Sequence, residues 1–423
     1  MRRPRRVSFV SEHASPLATL GGADAGGQNV HVASLATELG RLGCAVTVFT
    51  RRDAAELPER IALTAGVELR HVGAGPARPI AKDEMFGHMP AFAHWLRRCW
   101  SVEPPDVVHA HFWMSGWAAT RAIGGTPNIP TVQTFHALGV VKRRHQGSAD
   151  TSPPERQDVE ARLVSEVDHV VATCHDEVRE LRELGGDPDR ISVVPCGIDP
   201  ELFRPQGPVA SAGSATHRLL VLGRLVPRKG VDDAIRALGA LSSAGGPGTD
   251  AELVVAGGPT GRGLDRDPEV RRLRRLARHC GVGNRVRFVG SVSRSEVPDL
   301  IRSADVVISV PWYEPFGIVP VEAMACGRPV VGTAVGGLRD TIVSGRTGVL
   351  VPPRDPAALA GAVRRLLANP SLRARMGDEA VARVRLHFTW AQVARSTLEV
   401  YEAVAADDRP TATRTSSAWA VSA

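Results

Sequence analysis

Residues 305–337 read DVVISVPWYEPFGIVPVEAMACGRPVVGTAVGG, and this stretch decides the fold. Its opening run, 306–310, is apolar without alternation, the pattern of a parallel strand buried on both faces. Pro311 ends the strand, and a short loop carries Glu314, Pro315, Phe316 and Gly317. Ile318, Val321, Met324 and Ala325 then fall on one face of a helix. Gly327 stops that helix, and 329–331 opens another buried strand. Strand, helix and strand in this order predict a parallel α/β unit. Glu314 and Glu322 stand eight positions apart across the junction of loop and helix. The N–H groups of a helix's first turn have no intrahelical partner and lie at its positive end, where a phosphate can rest. Two carboxylates beside that point can accept hydrogen bonds from neutral hydroxyls. A nucleotide sugar has both kinds of group.

The alternation extends outward from this stretch in both directions. Apolar runs predict strands at 6–11, 44–50, 67–72, 106–109, 130–134, 168–173 and 191–194, with helices at 28–42, 82–100, 113–123, 152–167 and 176–184. Residues 200–217, PELFRPQGPVASAGSATH, interrupt the rhythm and read as a linker. Strands then resume at 218–223, 251–257, 285–289, 306–310 and 330–332, with helices at about 230–243, 267–280, 295–302, 317–326, 356–368, 371–386 and 389–405. The expected architecture is α/β, with two doubly wound Rossmann-like domains facing a cleft. Its parts are a first domain at 1–203, a linker at 204–217, a second domain at 218–386, a terminal helix at 387–406 and a disordered tail at 407–423.

A chain of 423 residues is too long for one ordinary core. Hydrophobic content of 43% with 23% charged residues describes a globular protein. Net charge of +7 allows an anionic ligand, but the basic residues read as dispersed, and no nucleic-acid motif accompanies them. None of the six cysteines forms a C-x-x-C pair, so free thiols in a reducing compartment are expected. The start, MRRPRRVSFV, has too short an apolar run for a signal sequence. No apolar window is long enough to span a bilayer. A cytoplasmic protein, monomeric or homodimeric, is the expectation.

Gly223-Arg224-Leu225 through Pro227-Arg228-Lys229-Gly230 follows the first strand of the second half. Arg224 and Lys229 flank the turn into a helix, where two cations can clamp a diphosphate and stabilise it as it leaves. Arg228 reads as solvated. Gly26 and Gly27 open a helix at the first loop, where bare backbone can approach an anion or a sugar, and Asp24 in that loop could meet a hydroxyl. Their spacing is not that of a nicotinamide-binding turn. His109-Ala110-His111 alternates as a strand does, which places both rings on one face. Asp265-x-Asp267 precedes a helix instead of ending a strand, so capping is expected there, not a metal site. The arginine-rich run 271–278 reads as a solvated face, with an anionic membrane surface as the alternative.

The stretch around Glu314 resembles the E-x7-E signature of the retaining glycosyltransferases of family 4. Glu314-Pro315-Phe316-Gly317, Glu322-Ala323 and Gly327-x-Pro329-Val330-Val331 carry the likeness, and Gly223-Arg224-Leu225 to Lys229-Gly230 is similar to the same family's G-R-L-x-x-x-K-G pattern. The resemblance implies the GT-B fold, with the last helix crossing back to the first domain, and a nucleotide-diphosphate sugar as donor, a UDP-sugar in the first instance. It places Arg224, Lys229 and the amides of Gly317 and Ile318 at the diphosphate, Glu322 at the ribose, and Glu314 with Phe316 at the donor sugar. His136 falls beside that sugar. Gly26 and Gly27 close over the donor phosphate, and Asp24 and Gln28 reach the acceptor. His136, Arg224, Lys229 and Glu314 form the implied catalytic set. No metal is required, because Arg224 and Lys229 supply the positive charge.

Within the family the chain is similar to two groups with phosphorylated acceptors, the mycothiol-pathway transferases acting on inositol phosphate and the sucrose-phosphate synthases. Lys82 and Arg156 match their acceptor-phosphate contacts, and Lys142 is a further candidate cation. Phe112 stands where the inositol-phosphate pattern has tyrosine, and Ala137 where it has threonine. Each change removes a hydroxyl that could hold the acceptor. A nucleotide-sugar epimerase of the same fold and a non-enzymatic sugar-binding protein are the competing readings.

Overall fold

The computed structural model describes residues 5–17, 27–124, 129–211, 215–243 and 245–406. Asp24, Gly26 and the 407–423 tail lie outside the described residues. The chain divides into two compact units, one made of Met1–Pro195 with Val393–Ala423 and the other of Cys196–Gln392.

The first unit is built on an eight-stranded sheet in the order β3-β4-β2-β1-β5-β6-β7-β8. The strands are β1 (Arg6–Val10), β2 (Ala45–Arg51), β3 (Arg60–Thr64), β4 (Val67–Val72), β5 (Val107–His111), β6 (Thr131–Thr134), β7 (His169–Ala172) and β8 (Ile191–Val193). All pairings are parallel except β3 with β4. Apolar runs such as Val7, Phe9 and Val10 in β1 are fully buried, as expected of strands covered on both faces by helices. The edge strand β3 was not anticipated. Its residues Arg60-Ile61-Ala62-Leu63-Thr64 are half-exposed or exposed throughout, so no buried run marks it. The helix Gly139–Gln146 was not anticipated either, because its polar run from Lys142 to Gln146 leaves no apolar stripe. The helix expected at 82–100 is a 3-10 turn, Lys82–His88, followed by the helix Met89–Val102, with a proline in the first turn of the latter marking the break. From Val393 onward the last helix, Trp390–Ala406, belongs to this unit, and the Tyr401 hydroxyl shares a 2.6 Å hydrogen bond with His109 Nδ1 on β5.

The second unit holds a six-stranded, wholly parallel sheet in the order β11-β10-β9-β12-β13-β14. Its strands are β9 (Arg218–Leu222), β10 (Glu252–Ala256), β11 (Val286–Gly290), β12 (Val306–Ser309), β13 (Val330–Thr333) and β14 (Gly348–Val351). Leu219, Leu253, Val255, Val306, Ile308 and Val331 from these strands pack with Ile235, Leu238, Leu241 and Val363 in one core. The short β14 and the helix Leu338–Thr341 were not anticipated. The stretch 204–211, read as the start of a linker, runs along this unit, where Arg302 donates to the carbonyls of Pro208 and Arg204. All six cysteines are free thiols, four of them buried. Among the described residues no helix is long and apolar enough to cross a membrane.

In each sheet the order reverses once near the middle. Chains leave β1 and β5 in opposite directions in the first unit, and β9 and β12 in the second. Such reversal points open a crevice beyond the carboxyl ends of the strands, where ligands bind in open α/β sheets.

Candidate active site

The loops after β9 and β12 carry the residues expected to hold a donor, so the reversal point of the second sheet and the sequence motifs coincide. Gly223 leaves β9, and Arg224 follows it, exposed. A 3-10 turn, Pro227–Lys229, then feeds the helix Val231–Ser243. Gly230 joins them at φ +69, and a Cβ there would stand 2.1 Å from the Val310 carbonyl oxygen. Only glycine fits, and the turn is thereby seated against the end of β12. The Trp312 amide donates to the Arg228 carbonyl at 2.8 Å, which ties the two loops together.

Lys229 Nζ donates to Glu314 Oε2 in a close ion pair. Arg228 lies 3.7 Å from the same oxygen and donates to the Tyr313 carbonyl at 3.2 Å. The solvated role expected for Arg228 is therefore corrected, since it belongs to the cationic group. Burial alone would raise the Glu314 carboxyl, but Lys229, Arg228 and Arg224 together hold it below its ordinary value. The structure thus brings Arg224, Lys229 and Glu314 to one place. The Glu314 carbonyl accepts from the Gly337 amide at 3.0 Å, which fixes the loop from its far side.

Gly317, at φ +91, caps the helix Ile318–Ala325, and Phe316 before it is buried against Phe388. Glu322 lies on the second turn of this helix and is 2% exposed. Its Oε1 accepts from Arg294, whose guanidinium sits 4.5 Å from the Phe203 ring. Burial raises the Glu322 carboxyl, and Arg294 offsets only part of that. Sequence reading did not find Arg294. A buried carboxylate demands a cation, but no local pattern says which of the chain's arginines answers.

The first unit gathers its candidates at the ends of β5 and β6. Phe112 follows β5 at φ +83, and His136 lies just past β6 at φ +60. Positive φ in such residues costs on the order of 1–3 kcal/mol each and concentrates at functional sites. Lys82 Nζ lies 3.7 Å above the Phe112 ring, and the Arg156 guanidinium lies 5.0 Å from it. The residue that lacks the expected hydroxyl is thus a platform for two cations. Arg156 is also bonded to Glu160 at 2.8 Å, to Ser152 at 3.2 Å and to the Ala137 carbonyl at 2.6 Å. Lys142 pairs with Asp150 at 2.8 Å. Arg156 and Lys142 are therefore already matched by acids. Gln28, in the first turn of the helix Gly27–Arg41, donates to the His111 carbonyl at 3.3 Å.

His31, His109, His111 and His136 share this region, and the His13 ring lies 4.9 Å from Phe112. His111 Nδ1 lies 3.1 Å from His136 Nε2, and the rings of His31 and His136 are 4.9 Å apart, edge to face. His109 and His111 share one face of β5, with centroids 4.2 Å apart. Burial pushes His31 down to about 4 and holds His109, His111 and His136 well below the ordinary range. A neutral His136 can donate or accept one hydrogen bond toward a ligand hydroxyl, with its other nitrogen held by His111.

Asp267 caps the helix Pro268–His279 through the Val270 amide at 2.9 Å, as expected, and Asp265 pairs with Arg274 at 2.7 Å. Among the described residues no group of acids, histidines and cysteines is arranged to hold a metal ion.

Residues 25–202 match the model of the family described as Glycosyltransferase Family 4, and residues 213–383 match that of Glycosyl transferases group 1. The D-inositol 3-phosphate glycosyltransferase of Acidothermus cellulolyticus is 39% identical over 97% of this chain and 93% of its own length. The protein of the same name from Streptomyces coelicolor is 37% identical over 95% and 92%. Among solved structures, sucrose-phosphate synthase from Thermosynechococcus elongatus superposes with a TM-score of 0.83 at 29% identity, covering 95% of this chain and 99% of that one. Anabaena HepE, solved with UDP and glucose, superposes at 0.69 and 20% identity over 94% and 100%, a likeness of fold.

Proposed function

The chain belongs to the glycosyltransferases, with a family 4 region followed by a group 1 region, and from that membership we propose how its residues divide the work. It is a hexosyltransferase of the retaining kind. The donor is a UDP-sugar, whose diphosphate lies on Arg224, Lys229 and the free amides at Gly317 and Ile318. Glu322 takes the ribose hydroxyls, exchanging its bond to Arg294 for them. Glu314 takes hydroxyls of the transferred sugar. The acceptor is a small phosphorylated polyol, its phosphate drawn to Lys82 above Phe112, with Arg156 and Lys142 behind. Relatives named for D-inositol 3-phosphate support this acceptor class.

In the reaction the bond between the sugar C1 and the diphosphate oxygen breaks while the acceptor oxygen bonds to C1 on the same face. The acceptor proton passes to the departing phosphate oxygen. Arg224 and Lys229 meet the negative charge that grows on the diphosphate. Glu314 is held by Lys229 with its carboxyl pulled low, which suits a fixed acceptor of hydrogen bonds better than a nucleophile. The observation that carries this reading is the Lys229–Glu314 pair at the reversal point of the second sheet.

A thermal-shift panel of UDP-, GDP- and ADP-sugars, followed by an acceptor screen that includes polyol and sugar phosphates, tests it. The expected outcome is stabilisation by UDP-sugars and release of UDP that depends on a phosphorylated acceptor. Sugar isomerisation without an acceptor would favour the epimerase, and an intact donor after long incubation with every acceptor would favour a binding protein.

A further inference from the structure

The excess positive charge is not dispersed. Residues 262–287 contain nine arginines, one histidine and three acids, a net of six positive charges, against seven for the whole chain. The segment comprises the short helix Arg262–Arg266, the helix Pro268–His279 and the first two residues of β11, an edge strand of the second sheet.

Its three acids are all spent inside the segment. Asp267 caps the helix, Glu269 holds Arg272 through two bonds of 2.8 Å, and Asp265 holds Arg274. Val270, Leu273 and Ala277 turn inward to the core. On the opposite face Arg271, Arg275 and Arg278 follow one another at four and three residues, a row about 10 Å long. All three are exposed and have no acidic partner among the described residues, and the same holds for Arg262 and Arg266 on the preceding helix. Like charges at this spacing repel one another and weaken the helix. Among the described residues no acid pairs with this row, which leaves it open to an anionic partner.

We propose that this face, Arg262, Arg266, Arg271, Arg275 and Arg278, docks on a bilayer surface rich in anionic lipid headgroups. Between its arginines the helix carries Arg272 and Arg274, both paired with acids, the buried Leu273 and Ala277, and Leu276, which is half-buried against the core. None of the large hydrophobic residues exposed among the described residues lies on these two helices to anchor a protein partner, and Phe288 on β11 is half-buried under Arg274, a poor platform for nucleic-acid bases. A fluid anionic surface needs neither, since its charges move to meet the arginines.

The test is co-sedimentation of the full-length protein with vesicles of pure phosphatidylcholine and of phosphatidylcholine mixed with phosphatidylglycerol. Wild type should pellet with the mixed vesicles at low salt, stay in solution with the neutral ones, and be released by high salt. Arg271→Gln with Arg275→Gln and Arg278→Gln should weaken vesicle binding on the order of a hundredfold, about fivefold for each arginine. Donor turnover without vesicles and the unfolding temperature should stay at wild-type values. A variant with the same net charge, Arg98→Gln with Arg365→Gln and Arg375→Gln at exposed positions elsewhere, should bind as wild type does. Equal binding of neutral and anionic vesicles, no binding to either, or equal loss in both triple variants would overturn the proposal. Retention on duplex DNA at a salt concentration that abolishes vesicle binding would overturn it in favour of nucleic acid.

Discussion

Consider Lys229→Ala. The substitution removes an ammonium that meets Glu314 Oε2 in the loop after β9 and, in the proposed reaction, faces the departing diphosphate. Loss of one preorganised group that stabilises developing charge costs about 3–4 kcal/mol, or roughly 10²–10³ in kcat. Stability should fall much less. Breaking a buried pair costs about 3–5 kcal/mol, but Lys229 and Glu314 retain 23% and 14% exposure, and Arg228 stands 3.7 Å from the stranded oxygen. A loss of ~1–2 kcal/mol is therefore expected. The sign of its pH dependence follows from the lowered Glu314 carboxyl. The pair's contribution is complete above the ordinary value of 4.5 and disappears as pH falls through the lower folded value, so the gap between wild type and variant should close in acid. Adding Glu314→Gln removes the stranded charge. The double variant should unfold near the wild-type temperature and still turn over donor hundreds of times more slowly. Donor turnover and thermal unfolding measured on all three proteins decide the matter. If turnover recovers together with stability in the double variant, Lys229 is an architectural residue and the reasoning fails.

Other expectations follow from the same geometry. Gly230→Ala places a Cβ against the Val310 carbonyl at 2.1 Å, so it should cost ~2 kcal/mol or more in thermal unfolding and reduce donor affinity by moving Lys229. Tyr401→Phe leaves the buried His109 Nδ1 without its 2.6 Å partner and should lower stability by ~1–3 kcal/mol, read from denaturant midpoints. His31, His109, His111 and His136 are held below their ordinary 6.5, so the unfolded chain binds protons that the folded chain refuses. Stability should be full above that value and decline as pH falls toward the folded values. His31 alone, at about 4, contributes roughly 3 kcal/mol across the window, and a His31→Asn variant should show a correspondingly flatter profile of unfolding temperature against pH.

The second unit was largely legible because its signals are local. Val306–Ser309 is a continuous apolar run, and Arg224, Lys229 and Glu314 sit in loops whose glycines and prolines mark the turns. The edge elements were not legible, because β3 makes a ladder on one side only and its residues alternate weakly between half-exposed and exposed. Ion pairs across long sequence separations were equally hidden. Arg294 reaches Glu322 from a loop 28 residues earlier, and Arg228 is separated from Tyr313 by 85. On the first unit the sequence marked Lys142 and Arg156 as cations, but their commitment to Asp150 and Glu160 depends on how the helices Gly139–Gln146 and Arg156–Glu166 pack. The charge of 262–287 was visible in composition. Its division into a paired side and an unpaired row required the helix to be oriented against the sheet.

A crystal structure of the protein with a UDP-sugar tests the central assignment most directly. The account predicts diphosphate oxygens within about 3 Å of Arg224, Lys229 and the Ile318 amide, with the ribose on Glu322. A diphosphate bound elsewhere, with those groups making no contact to it, would contradict the account.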